Sequence, residues 1–167
     1  MIKKLMSYIG EYKRDTLLSP ISVTFEVILE VLLPMLMAKV IDNGVEAGNM
    51  NYVVKMGLLM LVVAMLSLAA GTLSGVFAAR ASMGFGKNLR KAMYDNIQDF
   101  SFQNIDHFST AGLVTRMTTD VTNVQNAYQM LIRMFVRAPI MMISALVMCV
   151  SISPKISLIF LIALVFL

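Results

Sequence analysis

Long apolar runs alternate with one long charged stretch, and the order of these segments predicts helices throughout. Met56 to Ala79 carries no charge and is the cleanest run. Thr16 to Ala38 is apolar apart from Glu26 and Glu30. Ala138 to Ser153 is shorter, with its helix starting earlier, near Met134, and Ile156 to Leu167 is apolar to the last residue. A spanning helix needs about 20 apolar residues. The pattern therefore predicts spans over 16–39, 53–80 and 134–153, with the start of a fourth over 156–167. A chain that stops inside a fourth span reads as part of something longer.

The stretch between the second and third spans, 81–137, keeps a helical pattern but is charged. Phe85, Leu89, Met93, Ile97 and Phe100 recur on one face, so the outgoing leg from Arg80 to Ile105 predicts roughly 39 Å of helix at 1.5 Å per residue. Val121, Val124, Tyr128, Leu131 and Phe135 alternate steps of three and four, the apolar seam of a coiled-coil-like pair. The return leg from Asp120 to Arg137 is roughly 27 Å long by the same rise. Thr122 and Gln125 stand at capping-box spacing. The prediction is a hairpin of two helices with a short tip, and such a lever makes sense if the tip touches something in the cytosol.

Other local signals complete the picture. Ile2, Leu5, Met6, Ile9 and Tyr12 predict an amphipathic helix over residues 2–12, lying in the membrane interface within the N-terminal stretch 1–15. Pro34 predicts a bend in span one. Asp42-Asn43-Gly44 and Ala47-Gly48-Asn49 predict a short ordered turn. Ser67, Gly71, Gly75 and Ala79, four apart, predict close packing against a neighbouring helix, with a hinge as the other reading.

Composition narrows the class. The chain is 58% hydrophobic and 14% charged, whereas soluble domains carry roughly a quarter charged residues. The first apolar run is too long for a signal peptide, holds two carboxylates and precedes no A-x-A site. Cys149, the single cysteine, excludes a disulfide framework. Lys3, Lys4, Lys13 and Arg14 precede span one, and Arg80, Lys87, Arg90, Lys91, Arg116, Arg133 and Arg137 fall in the insert. Only Lys39, Lys55 and Lys155 fall on the other side. The positive-inside rule then puts the N-terminus and the insert in the cytoplasm. The basic excess is a topology signal and implies no nucleic acid.

Candidate chemistry is sparse. No G-x-x-x-x-G-K-[ST] loop exists; Gly84-Phe85-Gly86-Lys87 is too short and helical. His107 is the only histidine, so neither a metal set nor a nucleophile–base constellation can be assembled. The chain alone reads as no enzyme. Glu26 and Glu30 are the sharpest feature inside the membrane, because a carboxylate there costs roughly 2.5 to 3.5 kcal/mol to insert. Lining a polar pathway that attracts cationic or hydrogen-bonding cargo is one reading; hydrogen bonding to a neighbouring span, or to backbone freed near Pro34, is the other. Sixteen methionines suit a permissive binding surface but equally serve as filler in lipid.

The segment Phe108-Ser-Thr-Ala-Gly112-Leu-Val-Thr-Arg116-Met-Thr-Thr-Asp120-Val resembles the first intracellular loop of ATP-binding cassette exporters. Val121-Thr-Asn-Val-Gln125, Arg137-Ala138-Pro139 and Ala38-Lys-Val-Ile-Asp42-Asn-Gly44 are similar to the bacterial multidrug branch, including its heterodimeric members. Asp106-His107 stands where that branch usually has Phe-Asp, and Thr119 where Asn is common. The resemblance implies an all-α type-1 exporter membrane domain, present in part as an elbow helix, three full spans and part of a fourth with long cytosolic extensions. It implies a coupling helix at Ser109, Thr110, Ala111, Gly112, Leu113, Val114 and Thr115, braced by Arg116 and Asp120, resting on a nucleotide-binding domain absent from this sequence. ATP and Mg²⁺ would be held by that domain. The implied partners are membrane lipid, the nucleotide-binding domain, a second half-transporter and amphipathic small-molecule cargo. The implied location is the cell membrane, multi-pass. A proton-coupled secondary transporter using Glu26 and Glu30 is the alternative, and a membrane sensor with a signalling stalk is a third reading.

Overall fold

The computed structural model describes residues 2–100 and 109–152, and these are almost wholly helical. The elements are α1 (Ile2–Ser7), a single 3-10 turn (Gly10–Tyr12), α2 (Lys13–Val40), a π-helical turn (Ile41–Val45), α3 (Met50–Gln98), α4 (Thr110–Thr115), a second π-helical segment (Arg116–Asp120) and α5 (Val121–Ile152). Among the described residues, α2, α3 and α5 lie in the three stretches long and apolar enough to cross a membrane. The expected fourth span and Asp106-His107 lie outside the described residues.

Chain packing divides these elements into two compact units. One, the elbow unit, holds the residues up to Pro20 together with Ser74–Met134; the other, the apolar unit, holds Ile21–Leu73 and the residues from Phe135 onward.

In the elbow unit, small side chains on α3 let neighbouring helices close in. Ser74, Ala78, Ala81 and Ser82 are wholly buried, and Phe85 nearly so. Phe85 stacks on Tyr128 of α5 with ring centroids 4.7 Å apart. The Tyr128 hydroxyl shares a 2.9 Å hydrogen bond with Thr16 of α2, and Ser19 donates to the Ser74 carbonyl at 3.3 Å. Buried Ser74 and Ala78 on α3 run one residue ahead of Gly75 and Ala79 of the predicted stripe, which flank them.

Two expectations for this unit are corrected. The predicted helix over 2–12 ends at Ser7. Gly10 takes φ +52, a left-handed conformation that a helix cannot continue through. The turn is fixed by Asn88 of α3, whose side-chain amide donates to the Tyr8 carbonyl at 2.9 Å. Asn88→Ala is expected to cost about 1 kcal/mol, the size of one lost hydrogen bond, and to raise amide exchange in residues 2–12 selectively.

The second correction concerns the seam of the return leg. Val121 and Tyr128 turn inward as expected, but Val124 is 39% exposed and Leu131 57%, and Phe135, which falls in the apolar unit, is 75% exposed. In their place Gln125 and Gln129 face α3. Ser82 donates to Gln129 Oε1 at 3.3 Å. An added Cβ at Gly86 would overlap the Gln125 amide. Arg90 donates to Gln125 Oε1 at 3.3 Å and to Thr122 Oγ1 at 2.9 Å. Ser82, Gly86 and Arg90 stand four apart and meet Gln129, Gln125 and Thr122 in antiparallel order, so this part of the seam is polar. Thr122 and Gln125 are consumed by Arg90 rather than forming a capping box; the Thr122 hydroxyl also donates to the Thr118 carbonyl at 2.7 Å.

In the apolar unit, Val23 and Val27 are fully buried. α2 continues through Pro34 without interruption. The turn after α2 follows its sequence signals: Gly48 has φ +64, Asn49 N–H donates to the Gly44 carbonyl at 2.9 Å, and the Asn49 side chain accepts from Tyr52 N–H at 3.2 Å ahead of the first turns of α3.

Candidate functional site

Two places carry the residues singled out from the sequence, one in each unit. The first is the tip in the elbow unit. Ser109 caps α4 by accepting from the Gly112 N–H at 3.2 Å, which satisfies one of the orphan donors of a helix start. Ser109 has φ +53, rare for a residue with a Cβ. Thr110, Ala111, Val114 and Thr115 are exposed, and Gly112 and Leu113 are half-buried. The Thr115 hydroxyl donates to the Ala111 carbonyl at 3.0 Å and Thr118 to Val114 at 2.8 Å. The second bond ties the tip to the π-helical segment, whose ends are Arg116 and Asp120. Behind it opens a shallow cleft of about 500 Å³ lined by Arg90, Thr118, Thr119, Thr122 and Asn123. The structure thus gathers 109–115 into one presented turn and sets Arg116 and Asp120 at either end of the segment that joins it to α5.

The second place is in the apolar unit. Glu26 and Glu30 sit one turn apart on α2, as their spacing requires. The guanidinium of Arg137 on α5 reaches both: Nη1 to Glu26 Oε1 at 2.7 Å and Nη2 to Glu30 Oε2 at 2.8 Å. The planar fork of arginine suits two separated oxygens in a way a lysine ammonium does not. Gly71 of α3 makes room, since an added Cβ would stand 2.9 Å from Glu26 Oε1. The Ser67 hydroxyl points to the Glu26 carbonyl at 3.5 Å. Glu26 Oε2 is buried and has no hydrogen-bond partner among the described residues.

Sequence reasoning counted Arg137 among the basic residues of the insert and did not pair it. It also missed Gly71 as the floor beneath a carboxylate, and Arg90 as the tie behind the tip. The available signal was the rule that an intramembrane charge seeks a partner, with Arg137 the basic residue nearest the apolar start of span three.

Long apolar helices joined by a polar helical turn define a multi-pass helical membrane domain. The chain belongs to the ABC transporter transmembrane region family, whose pattern it matches over residues 16–167. It is 33% identical over 154 residues to an uncharacterized ABC transporter ATP-binding protein of Bacillus subtilis, YfiB, covering 92% of this chain and 27% of that protein. Similar proteins of Mycobacterium tuberculosis (MT1311) and Mycobacterium bovis (Mb1304c) are each 29% identical over 150 residues, covering 90% of this chain and 26% of each relative. The chain spans about a quarter of the length of the curated relatives it matches. This membership supports a role in membrane transport and lends no support to the proton-coupled alternative.

Proposed function

We infer that this chain supplies the first part of the membrane domain of an ATP-driven exporter of amphipathic cargo, drugs or lipids among them. Its N-terminus is cytoplasmic, and a second half-transporter completes the pathway. The tip at 109–115 rests on a nucleotide-binding domain, and the relatives named as ATP-binding proteins support a partner of that kind. ATP with Mg²⁺, held by that domain, supplies the energy; the residues described here bind, brace and transmit. Alternating access follows from rocking of helix bundles, with Glu26 and Glu30 on the cargo path.

The observation that carries this reading is the tip itself: a capped six-residue helix, exposed on the side of Val114 and fastened to α5 through the Thr118 and Thr122 hydroxyls. Such a turn, tied by local side-chain bonds, suits docking better than a flexible loop does. The test is crosslinking in the assembled transporter. A Leu113→Cys variant in a Cys149→Ser background is expected to crosslink to single cysteines on the nucleotide-binding domain, with a yield that changes on adding ATP. Labelling of that cysteine by a membrane-impermeant reagent from outside the cell would overturn the reading. Transport into inverted vesicles is expected to need ATP and to ignore an imposed pH gradient.

A further inference from the structure

We propose that α3 and the elbow, residues 2–14, together form a docking surface for anionic lipid headgroups of the cytoplasmic leaflet, and that these headgroups hold the elbow against α3. The proposal rests on the cytoplasmic placement of this end of the helices and asks nothing of cargo or ATP.

Three observations carry it. The first is that the elbow meets α3 through a small contact: the Asn88 amide holds the Tyr8 carbonyl and the Tyr12 ring lies on Gly84.

The second is the charge around that contact. Arg80 stands four residues before Gly84, and Lys87 and Lys91 stand three and seven after it, so all three share its side of the helix. Each is exposed, as are Lys13 and Arg14 directly after the 3-10 turn. None of these five cations has an ion-pair partner among the described residues. Glu11 and Asp15 are the carboxylates of the adjoining stretch, and on this face of α3 the first is Asp95, one turn beyond Lys91 and farther from the membrane. Five cations therefore stand against two carboxylates where the elbow docks. Like charges on the two segments oppose their approach, and an anionic headgroup between them offsets that repulsion.

The third is depth. Span two is predicted to end at residue 80, so Gly84 lies roughly 6 Å beyond it and Asn88 roughly 12 Å at 1.5 Å per residue. The headgroup layer is roughly 5 to 8 Å thick on each side of the hydrocarbon, so the contact falls within this layer and at its outer edge. Leu5 and Met6 on α1 are 38% and 60% exposed. Exposed apolar side chains beside a cationic face are the combination that binds an anionic membrane surface.

The experiment places the assembled transporter in nanodiscs of phosphatidylcholine, with and without phosphatidylglycerol, and follows hydrogen exchange of residues 2–12. Phosphatidylglycerol is expected to slow exchange there by about tenfold or more, since each cation near an anionic leaflet contributes about fivefold and several act together. Exchange in Ile21–Leu73 is expected to stay unchanged. A variant carrying Arg80→Gln and Lys87→Gln is expected to exchange no faster than the parent in phosphatidylcholine and to lose most of the slowing by phosphatidylglycerol. Should that pair disturb folding, Lys87→Gln alone is expected to reduce the slowing by about fivefold. No slowing by phosphatidylglycerol would overturn the proposal. Slowing that the variants keep in full would also overturn it, leaving the elbow to bind the leaflet without α3. So would slowing reproduced by inorganic phosphate in phosphatidylcholine discs, or Lys87 shielded from amine labelling in both lipids by an acidic protein partner. Labelling of Leu113→Cys from outside the cell would sink the orientation separately, whatever the exchange rates show.

Discussion

Replacing Arg137 with methionine destabilises the transporter by about 2 to 3 kcal/mol, below the roughly 3 to 5 kcal/mol for breaking a fully buried pair because the arginine is about a third exposed. The loss arises from what is left behind. Among the described residues, Glu26 keeps one oxygen buried without a partner even with the arginine in place; without it, both oxygens and the facing Glu30 lose their counter-charge. Methionine fills much the same volume, so packing is disturbed little. The measurement is thermal unfolding of the purified transporter in lipid. Adding Glu26→Gln and Glu30→Gln to the same variant is expected to return most of the loss, since neutral amides need no counter-charge. A triple variant as unstable as the single one would mean that Arg137 acts through its packing instead.

The second large effect is at Gly84. The ring of Tyr12 lies flat on this glycine, and a Cβ there would fall within the radii of Tyr12 Cγ, Cδ2 and Cε2. Cγ is one bond from Cβ, so the ring cannot clear the new methyl by rotating about χ2. Either χ1 changes or the 3-10 turn Gly10–Tyr12 moves. Gly84→Ala gains up to about 1 kcal/mol of helix propensity and loses about 1 to 3 kcal/mol by overpacking. The net expectation is destabilisation, with residues 2–12 released first. Hydrogen exchange would register it as lost protection in that segment while Ile21–Leu73 stays protected. A stabilised Gly84→Ala variant would show that the turn at Tyr12 yields easily.

Much of the fold was legible because its signals are local. Apolar runs of spanning length mark α2, α3 and α5 whatever they pack against. Gly48 and Asn49 encode the turn that joins α2 to α3 through backbone conformation and a side-chain bond, and both are read directly. The tip at 109–115 was legible only through the resemblance of its residues to a known loop; the Ser109 cap on Gly112 emerges from the structure. What escaped depends on partners far away in sequence. The pairing of Arg137 with Glu26 spans 111 residues, and a basic residue at the entrance to a span reads as an interfacial anchor until its neighbour is known. Gly10 breaks the first helix within a periodicity that runs on to Tyr12, and only the φ that Asn88 supports reveals it. The return leg was misread because heptad counting rewards apolar residues. Its partner face on α3 offers a serine, a glycine and an arginine, against which the glutamine amides fit and Leu131 does not. The roles proposed for 109–120 and for the two glutamates concern partners outside this chain, which no local signal in these residues specifies.

Arg90 fastens α3 to two positions of α5, Thr122 and Gln125, nearly one helical turn apart. A guanidinium held at both ends fixes axial register as a key fixes a gear on its shaft. Sliding α5 by one turn would have to exchange both bonds together, and the Gln125 amide sits in the space that a side chain at Gly86 would fill. Displacement of α4 along the axis of α5 therefore carries α3 with it, without backlash.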